Sequence, residues 1–201
     1  MTASIAGTAR TAVTTVTAST AAPQAVPAMT EIVRLAAADL TADQDGLADL
    51  LLDAVADGAS IGFLDGLDRT EAARWWLQYE DALAAGHRLG WIARDPGGRI
   101  VGTVSLVLGD KDNGRHRAEV VKLMVHRDAR GQGLARRLLD TAERAAAAAS
   151  ATLLMLDTRT DSPAERLYRS AGWTPYGLVP GYAADPDGTL ASCTFFYKTL
   201  A

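Results

Sequence analysis

Apolar residues along this chain follow two rhythms, helical and alternating, and glycine or proline marks most of the points where one gives way to the other. Residues 31–34 alternate polar and apolar side chains and predict a first strand, ending near Asp39. Thr41 suits the cap of a helix whose Leu47, Leu50, Leu51, Ala54 and Val55 recur at helical spacing. Gly58-Ala59-Ser60-Ile61-Gly62-Phe63 is a glycine-rich loop. Asp68 and Glu71 then stand at capping-box spacing and open a second helix that carries Trp75, Trp76, Tyr79 and Leu83 to Gly86. Strands at 89–94 and 100–108 flank the hairpin turn Asp95-Pro96-Gly97-Gly98, and a third strand at 118–125 follows the polar linker 109–117. Residues 134–149 predict a helix with Leu134, Leu138, Leu139 and Ala142 on one face. Residues 153–156 form the short, continuously apolar run of a buried strand. Ser162 and Pro163 start a further helix that Gly172 stops, and strands at 175–179 and 192–198 close the pattern. The order β-α-α-β-β-β-α-β-α-β-β, three antiparallel strands and then a βαβ unit, predicts an α/β fold with a mixed sheet and helices on both faces.

Residues 1–28 stand apart from this pattern. They hold seven Thr, nine Ala and a single charge, Arg10, with no periodicity, and are expected to form a flexible Ala/Thr-rich N-terminal extension ahead of one domain at 29–201. Ile5, Val13 and Val16 are too scattered for the apolar core of a signal peptide, and no uninterrupted apolar run approaches the roughly 20 residues of a membrane span. Composition adds four exclusions. Of 201 residues 48% are hydrophobic, enough for a core and too many for a disordered chain. A net charge of −4, from 24 acidic and 20 basic residues, weighs against a nucleic-acid partner. The single cysteine, Cys193, has no partner for an internal disulfide and points to a cytoplasmic location. His87, His116 and His126 are dispersed and show no metal-ligand spacing, so no metal is expected.

The most informative segment is Val125-His126-Arg127-Asp128-Ala129-Arg130-Gly131-Gln132-Gly133-Leu134-Ala135. A strand enters a short loop with two glycines, and a helix leaves it at once. The unpaired N–H groups at such a helix start, with the helix dipole behind them, favour an anion. Gly131 and Gly133 let the backbone approach it closely, and Arg130 and Arg136 supply full charges, so the segment reads as a diphosphate cradle. Neither the Walker loop nor the dinucleotide fingerprint is present. A strand–helix turn whose glycines serve packing alone is the alternative.

Arg130-x-x-Gly133-x-Ala135 fits the [QR]-x-x-G-x-[GA] motif, and together with the order of elements from Glu31 to Leu200 it resembles the GNAT family of N-acetyltransferases. The segments at 58–63, Lys122-Leu123-Met124-Val125-His126, Ala164-Glu165-Arg166-Leu167-Tyr168 and Phe195-Phe196-Tyr197-Lys198 are similar to the tabtoxin-resistance type within that family. The resemblance implies the acyl-CoA N-acyltransferase fold, with a mostly antiparallel central sheet and acetyl-CoA or another acyl-CoA as cofactor. It implies that the pyrophosphate rests on the backbones of Gly131, Gln132, Gly133, Leu134 and Ala135, with the Arg130 and Arg136 side chains beside it. Leu123, Met124 and Val125 would offer backbone hydrogen bonds to the pantetheine arm, one of them polarising the thioester carbonyl.

Ala164-x-x-x-Tyr168-x-x-x-Gly172-Trp173 matches the family pattern in which the tyrosine is the general acid for the departing sulfur, and that role is carried over to Tyr168. Asp161 stands where the family more often has Asn, a departure that sets a carboxylate near phosphate. Glu119 opens the strand into the loop, at the position where many members hold the base; Lys122 and His116 compete with it. On the acceptor side the resemblance places Phe63 with its loop, Trp75, Trp76, Tyr79 and Tyr182 around the pocket. Adjacent Trp75 and Trp76 cannot face the same way on a helix, so one belongs to the core. Asp65, Asp81 and Asp110 are further candidates to attract a cationic amine. The function so implied is acyl transfer to the amine or hydroxyl of a small molecule, in antibiotic or toxin resistance or natural-product tailoring, by direct attack in a ternary complex. Two alternatives keep the fold: a transferase fed by an acyl-carrier protein, and a non-catalytic acyl-CoA sensor. A homodimer through the last strands is a further expectation.

Overall fold

The structure is a computed structural model that describes residue 1 and residues 30–200; apart from Met1, the expected extension at 1–28 lies outside the described residues. Seven strands form one sheet: β1 (Glu31–Leu35), β2 (Arg88–Arg94), β3 (Ile100–Leu108), β4 (Arg117–Val125), β5 (Leu153–Arg159), β6 (Thr174–Ala184) and β7 (Leu190–Thr199), in the order β1-β2-β3-β4-β5-β7-β6. Every neighbouring pair is antiparallel except β4 and β5. Helices α1 (Leu40–Ala56), α2 (Arg69–Leu77) and α3 (Glu80–Ala84) cover one face, and α4 (Leu134–Ala148) and α5 (Pro163–Ser170) the other.

The helical spacing of apolar residues fixes which side of each helix meets the sheet. On α4, Leu134, Leu138, Leu139, Ala142 and Ala146 are buried together with Val101, Val120 and Leu154 of the strands beneath. On α1, Leu40, Leu47, Leu50, Leu51 and Ala54 pack on Ile92, Ile100 and Met124. Where β3 passes under α4 there is no room for a side chain: a Cβ at Gly102 would meet Leu138 Cδ1 at 3.0 Å and the Met124 carbonyl at 3.3 Å. Asp68 caps α2 by accepting from the Glu71 N–H, and the Ser162 hydroxyl caps α5 by accepting from the Glu165 N–H, both at the predicted helix starts.

Four elements differ from the expectation. The first strand ends at Leu35, a single turn at Ala37–Asp39 follows, and α1 starts at the fully buried Leu40 with Asp39 at its cap position, so Thr41 lies inside the helix and does not cap it. The second helix breaks between Leu77 and Glu80, where the Tyr79 N–H closes a tighter turn on the Trp76 carbonyl and the Tyr79 ring turns to lie against the Arg88 guanidinium. The strand at 153–156 runs on through Asp157-Thr158-Arg159; polar residues end its apolar run, but β7 pairs with every residue to Arg159. The strand at 175–179 extends to Ala184 through two irregularities that accommodate Pro175 and Pro180 on the outer edge.

Trp76 is 2% exposed and donates its indole N–H to the Leu47 carbonyl, whereas Trp75 is only half-buried. Trp76→Ala is therefore expected to lower stability by about 3–5 kcal/mol, with Trp75→Ala costing clearly less, as read by denaturant titration.

Candidate active site

The feature that makes a site of this sheet is a parting of its two central strands. β4 pairs with β5 only at Arg117↔Leu153, Ala118↔Leu154 and Glu119↔Met155. Beyond that row β4 stays on β3 and β5 stays on β7, so two unpaired strand edges diverge across a wedge. Within the wedge β4 carries a bulge: Thr103 pairs with Met124 and Ser105 with Val121, which leaves one extra residue on β4. Lys122 lies in it at φ 53°, a left-handed conformation rarely adopted by a residue with a side chain.

Beyond β4, a turn at Arg127–Ala129 leads into the glycine loop and α4. Gly131 and Gly133 have φ of 74° and 73°, and a Cβ added at either would meet no protein atom within 4 Å. The glycines thus keep open space beside the loop, and packing alone does not account for them. Gly133 occupies the cap position of α4 without a side-chain acceptor, leaving the first N–H groups of the helix pointing into that space. The cradle fits a phosphate group.

On the other side of the wedge α5 presents Tyr168, 6% exposed, with its ring against Trp173 and Phe196. Burial, and then the Asp157 carboxylate, push its hydroxyl pKa well above the usual value, so it holds a proton to give. Asp161, just ahead of α5, is at φ 61° and donates its N–H to Glu165. Asn and Asp are the residues with side chains that best tolerate this conformation, so a backbone turn, not phosphate contact, accounts for the residue there.

Opposite the face covered by α4, a cleft of about 390 Å³ opens over β3–β7, lined by Asp110, Glu119, Asp157, Tyr176, Tyr182 and Phe195. The register puts Arg88, Val107, Glu119 and Met155 in one row across four strands, and Asp157 lies two residues further on along β5, on the same face as Met155. A strap spans this side of the molecule: the Ser60 hydroxyl donates to the Ala184 carbonyl, the Asp65 N–H to the Pro186 carbonyl, and Lys122 to the Ile61 carbonyl. Burial raises the Glu119 pKa, Asp157 adds to it, and Arg88 and Lys122 work against it. Asp157 is likewise raised by burial, with Lys122 opposing. Burial and then Arg88 lower the Lys122 pKa, against Asp157 and Glu119. These four groups influence one another, yet none of them forms an ion pair within 4.0 Å among the described residues. Nη1 of Arg88 is, among the described residues, the one buried side-chain polar atom without a hydrogen-bond partner.

Residues 52–173 match the model of the acetyltransferase (GNAT) family. The chain belongs to the GNAT family. Membership makes it an acyltransferase that draws on acetyl-CoA or another acyl-CoA. Solved structures of the same fold include a phosphinothricin acetyltransferase from Sinorhizobium meliloti in complex with acetyl-CoA (18% identity, 86% of this chain and 89% of that one, TM-score 0.70). Others are a ribosomal-protein-alanine N-acetyltransferase from Brucella melitensis (24% identity, 85% and 99%, TM-score 0.68) and an N-acetyltransferase from Staphylococcus aureus Mu50 (16% identity, 86% and 99%, TM-score 0.70).

Within this GNAT domain the expected residues are distributed unevenly. Glu119 and Tyr182 line the cleft, whereas Phe63, Trp75, Tyr79, Lys122 and Tyr168 are not among its lining residues; of the three acidic candidates Asp110 lines the cleft while Asp65 and Asp81 do not. Phe63 and Trp75 stack edge-to-face at 5.1 Å beneath Lys122, and Tyr79 reaches the site through Arg88, whose guanidinium lies 3.9 Å from its ring centre. Trp76 is a core residue and takes no part in the cleft wall. The exposed His116 side chain also lies outside the cleft; its carbonyl accepts from the Thr152 and Leu153 N–H groups and so anchors the start of β5. The charges expected of Arg130 and Arg136 at the loop are largely neutralised, since Arg130 pairs with Asp57 and Arg136 with Asp140; nearby, Arg127 pairs with Asp53 and Arg137 donates to the Thr30 carbonyl. Asp157 and Arg88 were not anticipated. Asp157 was hidden by the polar end of its strand, though its spacing of two from Met155 carries the signal; Arg88 is marked only by its place in the sheet.

Because a Cβ at Gly133 has space but an unfavourable backbone angle, Gly133→Ala is expected to cost about 1–2 kcal/mol in stability while abolishing measurable CoA binding. Denaturation and calorimetric titration read the two effects separately.

Proposed function

We propose that the protein transfers an acetyl or other acyl group from acyl-CoA to the primary amine of a small molecule that also bears an anionic group, by direct attack in a ternary complex. The observation that carries this reading is the set of opposed, unpaired charges around the cleft, with Glu119 and Asp157 on one part and Arg88 and Lys122 on the other. Arg88 and Lys122 are partly buried, Glu119 and Asp157 are exposed at the cleft, and an amphoteric ligand gives partners to both signs at once. The glycine cradle supports a CoA donor, since a carrier-protein arm lacks the diphosphate. A role in antibiotic or toxin resistance, or in natural-product tailoring, is consistent with a phosphinothricin acetyltransferase among the structural neighbours. Exposed Leu178, Val179 and Leu190 on the β6–β7 hairpin support a homodimer through these strands.

In this mechanism bound acyl-CoA supplies an activated thioester, its phosphates held by backbone N–H groups of Gly131–Ala135 as Arg130 and Arg136 exchange their carboxylate partners. Among Leu123–Val125 on β4, one main-chain N–H directed to the free edge donates to the thioester oxygen, and the others directed there hold the pantetheine arm. Glu119 takes the proton of the incoming ammonium; burial raises its pKa and makes it a stronger base than an ordinary carboxylate. Tyr168, protonated throughout, donates to the departing sulfur. Cys193 is buried, which pushes its thiol pKa up, and it is a poor nucleophile.

Tyr168→Phe is expected to lower kcat by about 10²–10⁴-fold with CoA affinity retained, and retained turnover removes the tyrosine from the mechanism. Since Glu119 must lose a proton to act, kcat/KM should rise with pH through an acidic limb lying above the ordinary carboxylate range, and Glu119→Gln should erase that limb. Acceptor class is tested by mass-spectrometric comparison of anionic amines with their neutral esters. The esters should be about 10–100-fold poorer, the value of a charged hydrogen bond, and equal turnover defeats the amphoteric reading.

A further inference from the structure

Only three of the twenty basic residues in this chain are lysines. Lys198 is held by Glu143 and the Ala171 carbonyl, and Lys111 lies exposed in the loop before β4. Of the three, Lys122 is the one whose charge acts on Glu119 and Asp157. Apart from Lys198, the cation that meets a carboxylate among the described residues is arginine, as at Arg69, Arg127, Arg130 and Arg169. An ammonium differs from a guanidinium in being able to lose its proton and become a nucleophile.

Burial and the Arg88 charge favour that change, and the contacts of Lys122 fix its side chain in place. Its backbone is held in the left-handed region inside the bulge, a conformation that costs about 1–2 kcal/mol and is characteristic of functional positions. Its Nζ meets no carboxylate among the described residues; it rests on the Ile61 carbonyl, 5.1 Å from the Trp75 ring centre and 5.7 Å from that of Phe63. Of the charged and titratable groups around it, Arg88 on β2 favours the neutral amine, as does burial, while Glu119 on β4 and Asp157 on β5 oppose. Lys122 is also the residue directly before the Leu123–Val125 edge.

We propose that Lys122 is itself an acyl acceptor, a self-modification site that takes the acyl group when no small-molecule amine occupies the cleft. This rests on the reading that acyl-CoA lies along Leu123–Val125. The step balances without any further reactant: neutral Nζ bonds to the thioester carbonyl carbon, the carbon–sulfur bond breaks, and the proton lost from nitrogen ends on the CoA thiol. Glu119 and Tyr168 are the groups that accept and donate it. The resulting amide removes the Lys122 charge, which acts on Glu119 and Asp157, and its attraction to Trp75 and Phe63. Acylation therefore weakens the hold on an anionic acceptor, and a bound acceptor shields Lys122.

The full chain is incubated with isotope-labelled acetyl-CoA and no acceptor, digested with trypsin, and compared by mass spectrometry at its lysines, while calorimetry on the same preparation measures acetyl-CoA binding. Acylation of Lys122 blocks cleavage there and leaves residues 118–127 as one labelled peptide. Label on Lys122 is expected to exceed that on Lys111 by about tenfold or more and to rise with pH, as the neutral fraction grows. Lys122→Arg, which trypsin cleaves after residue 122, should bind acetyl-CoA and carry no label anywhere in residues 118–127. Acetyl-CoA binding with Lys122 labelled no more than Lys111 overturns the inference and leaves the function standing; failure to bind acetyl-CoA overturns both.

Discussion

The parting of β4 from β5 is the constraint on which the rest of this molecule depends. A sheet that stops pairing at its centre exposes backbone groups that cost free energy unless something satisfies them. Here the parting is imposed from both sides. β5 remains on β7 through Arg159↔Cys193, and β4 remains on β3, with an extra residue that turns its edge. No rearrangement of one strand closes the wedge without breaking the ladder on its other side. The catalytic candidates take their places from this geometry: Glu119 at the last paired row, Lys122 in the bulge, Asp157 on the departing strand, and Tyr168 on the helix that returns above it.

The charges follow the same division. Away from the wedge, ionised side chains are mostly paired, with arginine the usual cation. Around the cleft, Arg88, Lys122, Glu119 and Asp157 lie close enough to shift one another's proton affinities without closing into pairs. Fixed positions prevent the collapse: Arg88 is stacked on Tyr79, Lys122 on its carbonyl and aromatic rings, and the two carboxylates on strands that diverge. A site with both signs held apart is complementary to a ligand carrying both, and the same separation keeps Lys122 from being pinned as an ammonium by a carboxylate.

Elements specified by local chemistry were legible in the sequence: the caps at Asp68 and Ser162, the apolar faces of α1 and α4, the hairpin before Ile100 and the glycine loop. Relations that depend on register were not. Val120-Val121-Lys122-Leu123-Met124-Val125 reads as an unbroken strand, and nothing local reveals that one residue in it has no counterpart on β3. Asp157 and Glu119 are 38 positions apart in the sequence, and only the short parallel pairing brings them to one face. Arg88 acquires its meaning from a row that crosses four strands. The Trp75–Trp76 pair shows the boundary well: helical geometry requires that they differ, and tertiary packing decides which one enters the core.

The arginines around the glycine loop show why a motif's charge and its function need not reside in the same atoms. Asp53 and Asp57 lie at the C-terminal end of α1, where the helix dipole disfavours negative charge. Arg127 and Arg130 offset that cost, and both belong to the loop that forms the cradle. Arg127 reaches Asp53 through its backbone N–H as well as its side chain, and also donates to the Asp53 carbonyl. Arg130 ties back to the Val125 carbonyl at the end of β4. These contacts fasten α1, β4 and the loop to one another at the point where the backbone must hold unpaired N–H groups toward an anion. The side chains thus keep the cradle in shape, and the main chain between Gly131 and Ala135 supplies the donors. A backbone cradle needs no charge of its own to be specific, because two glycines at positive φ fix the direction of its N–H groups and leave room for the ligand alone.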